Sequence, residues 1–196
     1  MKIPIFQVDA FTSEVFKGNP AAVCPLKKWL PDKVMQKIAQ ENNLSETAFF
    51  INKGDSFDIR WFTPLSELDL AGHPTLATAH VIIEELNLKF DKIIFKTKIG
   101  DSLIVSKNKN LLIMNFPSRP PEIYNNIELV SEALRKKPLA LFRHRDAVAV
   151  FENEDDIKSI NPDMEKLKKL DCPAVIVTAP GSKVDFVSRN FAPKLG

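Results

Sequence analysis

The stretch AGHPTLATAHVIIEEL, residues 71–86, decides the predicted fold. From Pro74 onward its side chains are small or apolar on nearly every side for three turns, and a helix of that kind is buried over most of its surface. Proline suits the first turn, where its missing N–H would be unpaired in any case. Because strand-like segments lie before and after residues 74–86, the pattern predicts a helix enclosed by a curved sheet.

Short runs rich in Val, Ile and Phe, bounded by turn residues, predict strands along most of the chain. The helical patterns cover 31–42, 74–86, 127–137 and 163–170, and the first of these has the amphipathic spacing of a surface helix. The sequence therefore predicts an α+β protein. The predicted strands lie near 4–9, 21–25, 47–52, 56–62, 92–97, 102–106, 111–116, 139–143, 146–151, 173–178 and 183–190.

The segment FPSRPP, residues 116–121, places three prolines in six positions and cannot continue a strand. It predicts a boundary between a first lobe, 1–117, and a second lobe, 118–196. An internal repeat indicates that the lobes are similar, since FDIRWFTP (57–64) and FVSRNFAP (186–193) share the pattern F-x-x-R-x-F-[TA]-P.

The repeat arginines, Arg60 and Arg189, either bind an anion or pair with acids that fasten each lobe's strand, and the second interpretation is favoured. A loop, a glycine, a histidine and the central helix follow Pro64, whereas three residues follow Pro193. The second lobe is therefore expected to be incomplete.

Composition narrows the function classes. The 196 residues carry 27 Lys and Arg against 25 Asp and Glu, without the concentrated basic stripe that nucleic-acid binding requires. No apolar run approaches the roughly 18 residues of a membrane span, and the first residues are not typical of a signal peptide. Cys24 and Cys172 have no partner at metal-ligand spacing, so no metal is expected, and the default is a reduced, cytoplasmic protein.

The start of the central helix is a candidate ligand site. Gly72 lets the backbone approach a ligand closely. The amides of residues 75–77 and the helix dipole favour an anion such as a carboxylate, and Thr75 adds a hydroxyl. His73 lies at the mouth of this site, where it either faces a ligand or only caps the helix.

Two further residues are candidates. Glu46, in NLSETAFF (43–50), is either a solvent-facing turn residue or a partly enclosed carboxylate suited to proton transfer near neutral pH. Asn19, in GNPAAV (18–23), can hydrogen-bond a ligand or its own backbone, although a turn role alone accounts for it. A racemase using Cys24 and Cys172 as opposed thiols is disfavoured, because neither has a setting that would lower a thiol pKa.

In combination, GNPAAVC, NLSETAFF, RWFTP with AGHPTLATAH, and DFVSRNFAP resemble the phenazine-biosynthesis (PhzF-like) branch of the diaminopimelate-epimerase fold, over nearly the whole chain and in the expected order. The resemblance implies two pseudo-symmetric lobes, each a curved, mainly antiparallel sheet wrapped on a central helix. It also implies a cofactor-independent isomerase that moves protons on a small carboxylate-bearing substrate, and a homodimer is compatible with it.

By the resemblance, Glu46 is the general acid/base, and Gly72 and His73 are the active-site glycine–histidine pair. Glu46 and His73 are therefore the expected catalytic residues. Asn19, Gly72 and Thr75 are the expected substrate-binding residues, Asn19 and Thr75 by their residue types and positions alone. The family continues after the second FAP with a stretch resembling EDPVTGSAH, which holds an active-site aspartate and is not in this sequence. The alternative function is therefore a catalytically inactive relative that binds a small acid or a protein partner.

Overall fold

The computed structural model describes residues 2–116 and 118–195, so one proline of the predicted linker, Pro117, lies outside the described residues. The chain divides into two compact units, Met1–Pro117 and Ser118–Gly196. No helix within the described residues is long and apolar enough to cross a membrane.

The first unit is a single mixed sheet with two helical segments. Helix α1 covers Asp32–Asn42, and helix α2, His73–His80, continues directly into a π-helical segment, Val81–Glu85. The strands are β1 Phe6–Ala10, β2 Asn19–Leu26, β3 Glu46–Asn52, β4 Phe57–Phe62, β5 Glu67–Leu68, β6 Lys92–Thr97, β7 Ser102–Asn108 and β8 Leu111–Asn115. Among the described residues their order in the sheet is β1-β2-β3-β4-β6-β7-β8, and the short β5 pairs with β4.

The sheet encloses helix α2, as the apolar pattern of residues 74–86 predicts. The helix contacts β1, β2 and β3 and also β8, at the opposite end of the strand order, so the sheet curls around it. His80 is the exposed position in the helix, and the side chains of Ala77, Ala79, Val81 and Ile82 lie in the main core with the inward-facing side chains of the strands.

The hydroxyls of two buried threonines of α2 form hydrogen bonds with nearby backbone carbonyls. Thr75 Oγ1 donates to the carbonyl of Ala71 at 2.6 Å, and Thr78 Oγ1 donates to that of Pro74 at 2.7 Å. Such bonds to the carbonyl four residues earlier are common for Ser and Thr in helices. They let a helix with two hydroxyls lie in an apolar core without an unpaired polar atom at either threonine.

Helix α1 packs on the other face of the sheet. Its buried side chains are Met35 and Ala39, which share a second cluster with Cys24, Phe49 and Phe62. Because side chains alternate along a strand, Ala48 and Trp61 point to the α2 core while their neighbours point to α1.

The second unit repeats the strand pairing of the first. Its elements are β9 Glu122–Ile123, α3 Ile127–Leu134, β10 Ala140–Arg143, β11 Ala147–Val150, α4 Glu154–Ser159, α5 Met164–Lys169, β12 Val175–Pro180 and β13 Phe186–Phe191. The β10–β11 pair is antiparallel, the β11–β12 pair is parallel and the β12–β13 pair is antiparallel, the same succession as β1–β2, β2–β3 and β3–β4. The internal repeat of the sequence is therefore confirmed.

The repeat arginines fasten their strands through different partners. Arg60, on β4, binds Glu67 with two hydrogen bonds of 2.6 and 2.8 Å and Asp32 at 2.9 Å, so the predicted pairing with acids is confirmed there. For Arg189, on β13, that prediction is wrong. Its guanidinium donates instead to the carbonyls of Ile157 and Ile160 at the end of α4, at 2.9 and 2.7 Å.

The hydrogen bonds around Arg60 lower the pKa values of the two carboxylates that accept them, Glu67 and Asp32. Burial alone would raise the pKa of Glu67, but hydrogen bonds from Arg60 and Lys98 outweigh it and hold that pKa below its usual range. The Arg60 hydrogen bond likewise lowers the pKa of Asp32. A carboxylate with a lowered folded-state pKa stabilises the fold above its ordinary pKa, and that contribution is lost as pH falls through the lowered value.

We predict that Arg60→Ala and Arg189→Ala differ in their response to acid. Arg60→Ala should lower the free energy of unfolding by about 2–3 kcal/mol at pH 7, less than for a fully buried pair because Glu67 is partly exposed. Arg189→Ala should cost about 1–2 kcal/mol. Urea unfolding between pH 7 and pH 3 should show the Arg60 difference shrinking below about pH 4, where carboxylates protonate. The Arg189 difference should stay constant, and parallel pH profiles for the two variants would contradict this account.

Candidate active site

Three N-terminal ends meet at one edge of the first sheet. Strands β2 and β3 are parallel, with Ala21 opposite Glu46, so both begin at that edge. Helix α2, which contacts both strands, begins at His73. Asn19 starts β2, Glu46 starts β3 and His73 starts α2, and the structure brings these three predicted residues together.

Gly18 sets the position of Asn19. It has a φ of +75°, and a Cβ added there would lie 2.2 Å from the carbonyl oxygen of Ala10. Only glycine fits that backbone, which leads the chain from β1 into β2. Asn19 does not turn its amide onto its own backbone. Its Nδ2 instead lies 3.1 Å from His73 Nδ1.

The His73 ring is held on both nitrogens. The Asn19 amide donates to Nδ1, which leaves the ring proton of the neutral imidazole on Nε2. That Nε2 faces Glu46 Oε2 at 3.2 Å and Ser45 Oγ at 3.4 Å. Burial lowers the pKa of His73 below its usual range, although the Glu46 carboxylate and a hydrogen bond with the Pro20 backbone oppose the shift. At neutral pH the ring is therefore a neutral donor.

Glu46 is a carboxylate with one enclosed oxygen. Its side chain retains 18% of its exposed area and that of His73 retains 10%, so the pair is largely withdrawn from solvent. Oε2 is buried and makes no hydrogen bond of good geometry within the described part of the chain, despite its ion-pair distance to His73. Glu46 Oε2 is therefore a buried hydrogen-bond acceptor without a matching donor among the described residues.

Ser45, within NLSETAFF, belongs to the same cluster, although it is not among the residues predicted for the site. Its hydroxyl lies 3.3 Å from Asn19 Oδ1 and 3.4 Å from the carbonyl of Pro20, as well as facing His73. The only sequence signal for it is its place directly before Glu46. Ser45 thus links the starts of β2 and β3 beside the imidazole.

The start of α2 differs from the expected anion site. The Thr75 hydroxyl is fully buried and donates to Ala71, so it offers nothing to a ligand. The amides of Thr75 and Leu76 both donate to the Gly72 carbonyl at 3.1 Å. These groups close the first turn of the helix itself. What remains for a ligand at the helix start is the dipole, the amide of His73 and its side chain.

Gly72 has no conformational need to be glycine. Its φ and ψ are −79° and −70°, ordinary helical values. A Cβ added there would meet the ring of Phe116 at 3.6 and 3.8 Å, which is ordinary van der Waals contact. Its predicted role in close approach to a ligand is therefore separable from any role in folding.

Both cysteines are buried, and burial raises the pKa of the Cys24 thiol to about 12. Cys24 also lies in the α1 cluster, on the sheet face opposite His73. A thiol with so high a pKa is a poor proton carrier near neutral pH. Within residues 2–116 and 118–195, no three His, Cys, Asp or Glu side chains converge so as to hold a metal ion.

Sequence comparison gives the chain its family. Residues 8–196 match the model of the phenazine biosynthesis-like proteins (PhzC-PhzF). A curated relative from Pseudomonas aeruginosa, named an uncharacterized isomerase, is 44% identical over 196 residues, which cover 100% of this chain and 75% of the relative.

Solved structures agree. The crystal structure of a PhzF-family phenazine biosynthesis protein from Enterococcus faecalis is 47% identical with a TM-score of 0.90, over 100% of this chain and 75% of that one. The crystal structure of a PhzC/PhzF protein from Clostridium difficile is 40% identical with a TM-score of 0.87, over 99% and 75%. Fold and relatives together define an α+β protein with an epimerase-like fold and a general isomerase function. The chain belongs to the PhzF-like family of phenazine biosynthesis-like proteins.

We predict that His73 titrates below the value of about 6.5 that is usual for an imidazole, and that its neutral form carries the proton on Nε2. Nitrogen-15 NMR of the histidine side chains measures both. Asn19→Asp places a carboxylate beside Nδ1 and should raise the pKa of His73. Asn19→Ala removes the donor to Nδ1, so the proton of the neutral ring should no longer be confined to Nε2.

The sign of the stability effect follows from the lowered pKa. The contribution of His73 to stability is present above about pH 6.5 and is lost as pH falls through the lowered folded-state value. A His73 that titrates above pH 6.5 in the wild-type protein, or that carries its proton on Nδ1, would contradict the assignment.

Proposed function

We propose that this chain is a cofactor-independent isomerase that moves a proton between two atoms of a small carboxylate-bearing substrate. Glu46 is the proton carrier, and His73 positions the substrate. The observation that carries the proposal is the largely enclosed pair of Glu46 Oε2 and His73 Nε2, 3.2 Å apart at the start of a helix. The named isomerase among the relatives supports the reaction class.

The proposal that the substrate carries a carboxylate comes from the start of helix α2. The N-terminal end of α2 is electropositive because its peptide dipoles point along the axis. His73 adds a neutral N–H donor, and burial strengthens its hydrogen bond relative to one in water. A carboxylate held there places the neighbouring carbon of the substrate beside Glu46.

The proton transfer needs one base. The Glu46 carboxylate removes a proton from a carbon of the substrate, and the electron pair left behind spreads into the substrate's conjugated system. The protonated Glu46 then returns the proton to a different carbon, so that a C–H bond is broken and a C–H bond is formed without net oxidation. His73 donates a hydrogen bond from Nε2 to the substrate oxygen on which negative charge accumulates, and it keeps its proton.

A deuterium-exchange experiment tests this function. In heavy water, the wild-type protein should incorporate deuterium into 2,3-dihydro-3-hydroxyanthranilate, followed by NMR or mass spectrometry. Glu46→Gln should reduce the rate by about 10²–10⁴-fold, the usual contribution of a general base. Glu41→Gln is the matched control, because Glu41 is an exposed residue of α1 with no contact in the site.

Two results would count against the catalytic role. Exchange that survives Glu46→Gln would remove Glu46 as the proton carrier. Thermal stabilisation by this carboxylate without any exchange would instead support the alternative, a relative that binds a small acid and does not turn it over.

The role of Gly72 is tested by adding one methyl group. Gly72→Ala should change the free energy of unfolding by less than about 0.5 kcal/mol. Alanine is a poorer N-cap than glycine, but it loses less backbone entropy on folding into an ordinary helical conformation, and the two effects oppose each other. Deuterium exchange should fall at least about tenfold, since the methyl would stand where the substrate approaches.

Gly54→Ala should show the opposite pattern. Gly54 has a φ of +90° with open space around a Cβ, so the variant should lose about 1 kcal/mol of stability and keep its exchange rate. Full activity in Gly72→Ala would mean that no ligand approaches this glycine.

A further inference from the structure

Two buried polar atoms of the first unit make no hydrogen bond to another described residue, and they are complementary. Glu46 Oε2 is an acceptor, and the indole Nε1–H of Trp61 is a donor. Buried Trp N–H groups usually have a partner. A donor and an acceptor left unpaired in one core raise the question of whether they can meet.

The strand register places their side chains on one face of the sheet. In the β3–β4 pair, Ala48 lies directly opposite Trp61. Glu46 is two residues before Ala48 and shares its face, because side chains alternate along a strand. Glu46 and Trp61 are therefore diagonal neighbours, a spacing that long and aromatic side chains bridge.

Trp61 is buried deeply enough for the unpaired N–H to matter. The residue is 1% exposed and lies in the core cluster that includes Ala48, Ala71 and Ala77, around the start of α2. An unsatisfied buried donor is unfavourable compared with the same group in water. A phenylalanine at this position would carry no unpaired N–H, so the apolar surroundings alone do not account for an indole.

We propose that Trp61 is a positioning residue for Glu46. In the resting arrangement the Glu46 carboxylate faces His73. When His73 gives its N–H to a bound carboxylate, Oε2 loses that neighbour and accepts a hydrogen bond from Trp61 Nε1 instead. The indole thereby holds the base in place while His73 serves the substrate. The inference extends the proposed function, from which it takes the roles of Glu46 and His73.

The experiment removes His73 to imitate its departure. The chain has two tryptophans, so its nitrogen-15 spectrum has two indole signals, and Trp29→Phe identifies the one from Trp61. Trp29 is a suitable reference because it stacks on Arg60 in the α1 cluster, on the other face of the sheet. In His73→Ala, the Trp61 indole proton should move downfield and its position should follow the titration of a carboxylate.

A second substitution attributes the shift. In His73→Ala with Glu46→Ala, the downfield shift and its pH dependence should both disappear, while the Trp29 signal stays in place throughout. His73→Gln, which keeps a side-chain N–H donor and the start of α2, should return the Trp61 signal towards its wild-type position.

A Trp61 signal that does not move in His73→Ala, or that moves equally without Glu46, would overturn the proposal. No substrate or turnover enters this measurement. A protein that fails the deuterium-exchange test can therefore still pass it, and the two failures are distinguishable.

Discussion

The first unit depends on one constraint, which is that a helix with apolar side chains all round must be covered on every side. A flat sheet covers one face of a helix, so the strands from β1 to β8 curl until both ends of the sheet reach α2. Apart from the exposed His80, enclosure leaves the ends of the helix as the parts that reach the surface in the described structure. The N-terminal end, which carries the positive pole of the helix dipole, therefore emerges where the parallel strands β2 and β3 begin.

The polar groups at that opening satisfy one another in a chain. Asn19 holds His73, His73 faces Glu46, and Ser45 touches both Asn19 and His73. The apolar surroundings keep the imidazole neutral by disfavouring its charged form. Only the last member of the chain, the Glu46 carboxylate, has an acceptor without a good donor. Reactivity is thus concentrated on the atom to which the proposed mechanism assigns the proton.

Long, strongly patterned elements could be predicted from the sequence, and elements decided by tertiary contact could not. The helix of residues 74–86 and the strand of 92–97 follow from hydrophobic patterning. Strand β5, Glu67–Leu68, is only two residues long and is defined by its pairing with β4, so it is too short to show a hydrophobic periodicity in the sequence. Helix α4, Glu154–Ser159, has a single buried side chain, Ile157, and its six residues are too few to show a face.

The same division holds in the candidate site. Glu46, His73 and Asn19 could be selected by residue type and by their places at the ends of elements. Their contacts could not, because the β2–β3 register and the packing of α2 on those strands are properties of the folded chain, and together they bring Asn19, Glu46 and His73 into contact. The Thr75 hydroxyl and the first-turn amides donate to the carbonyls of Ala71 and Gly72, just before the helix, and a sequence pattern does not show these bonds.

The two repeat arginines differ in what the rest of the chain must preserve. The partners of Arg60 are carboxylates, so a single codon change at Glu67 or Asp32 weakens its hold. The partners of Arg189 are main-chain carbonyls, which every residue type supplies as long as α4 ends in the same place. After a duplication, the first copy of this strand is therefore tied to the identity of its neighbours. The second copy depends only on the backbone position of its neighbours, so the side chains of those neighbours can change without loss of these hydrogen bonds.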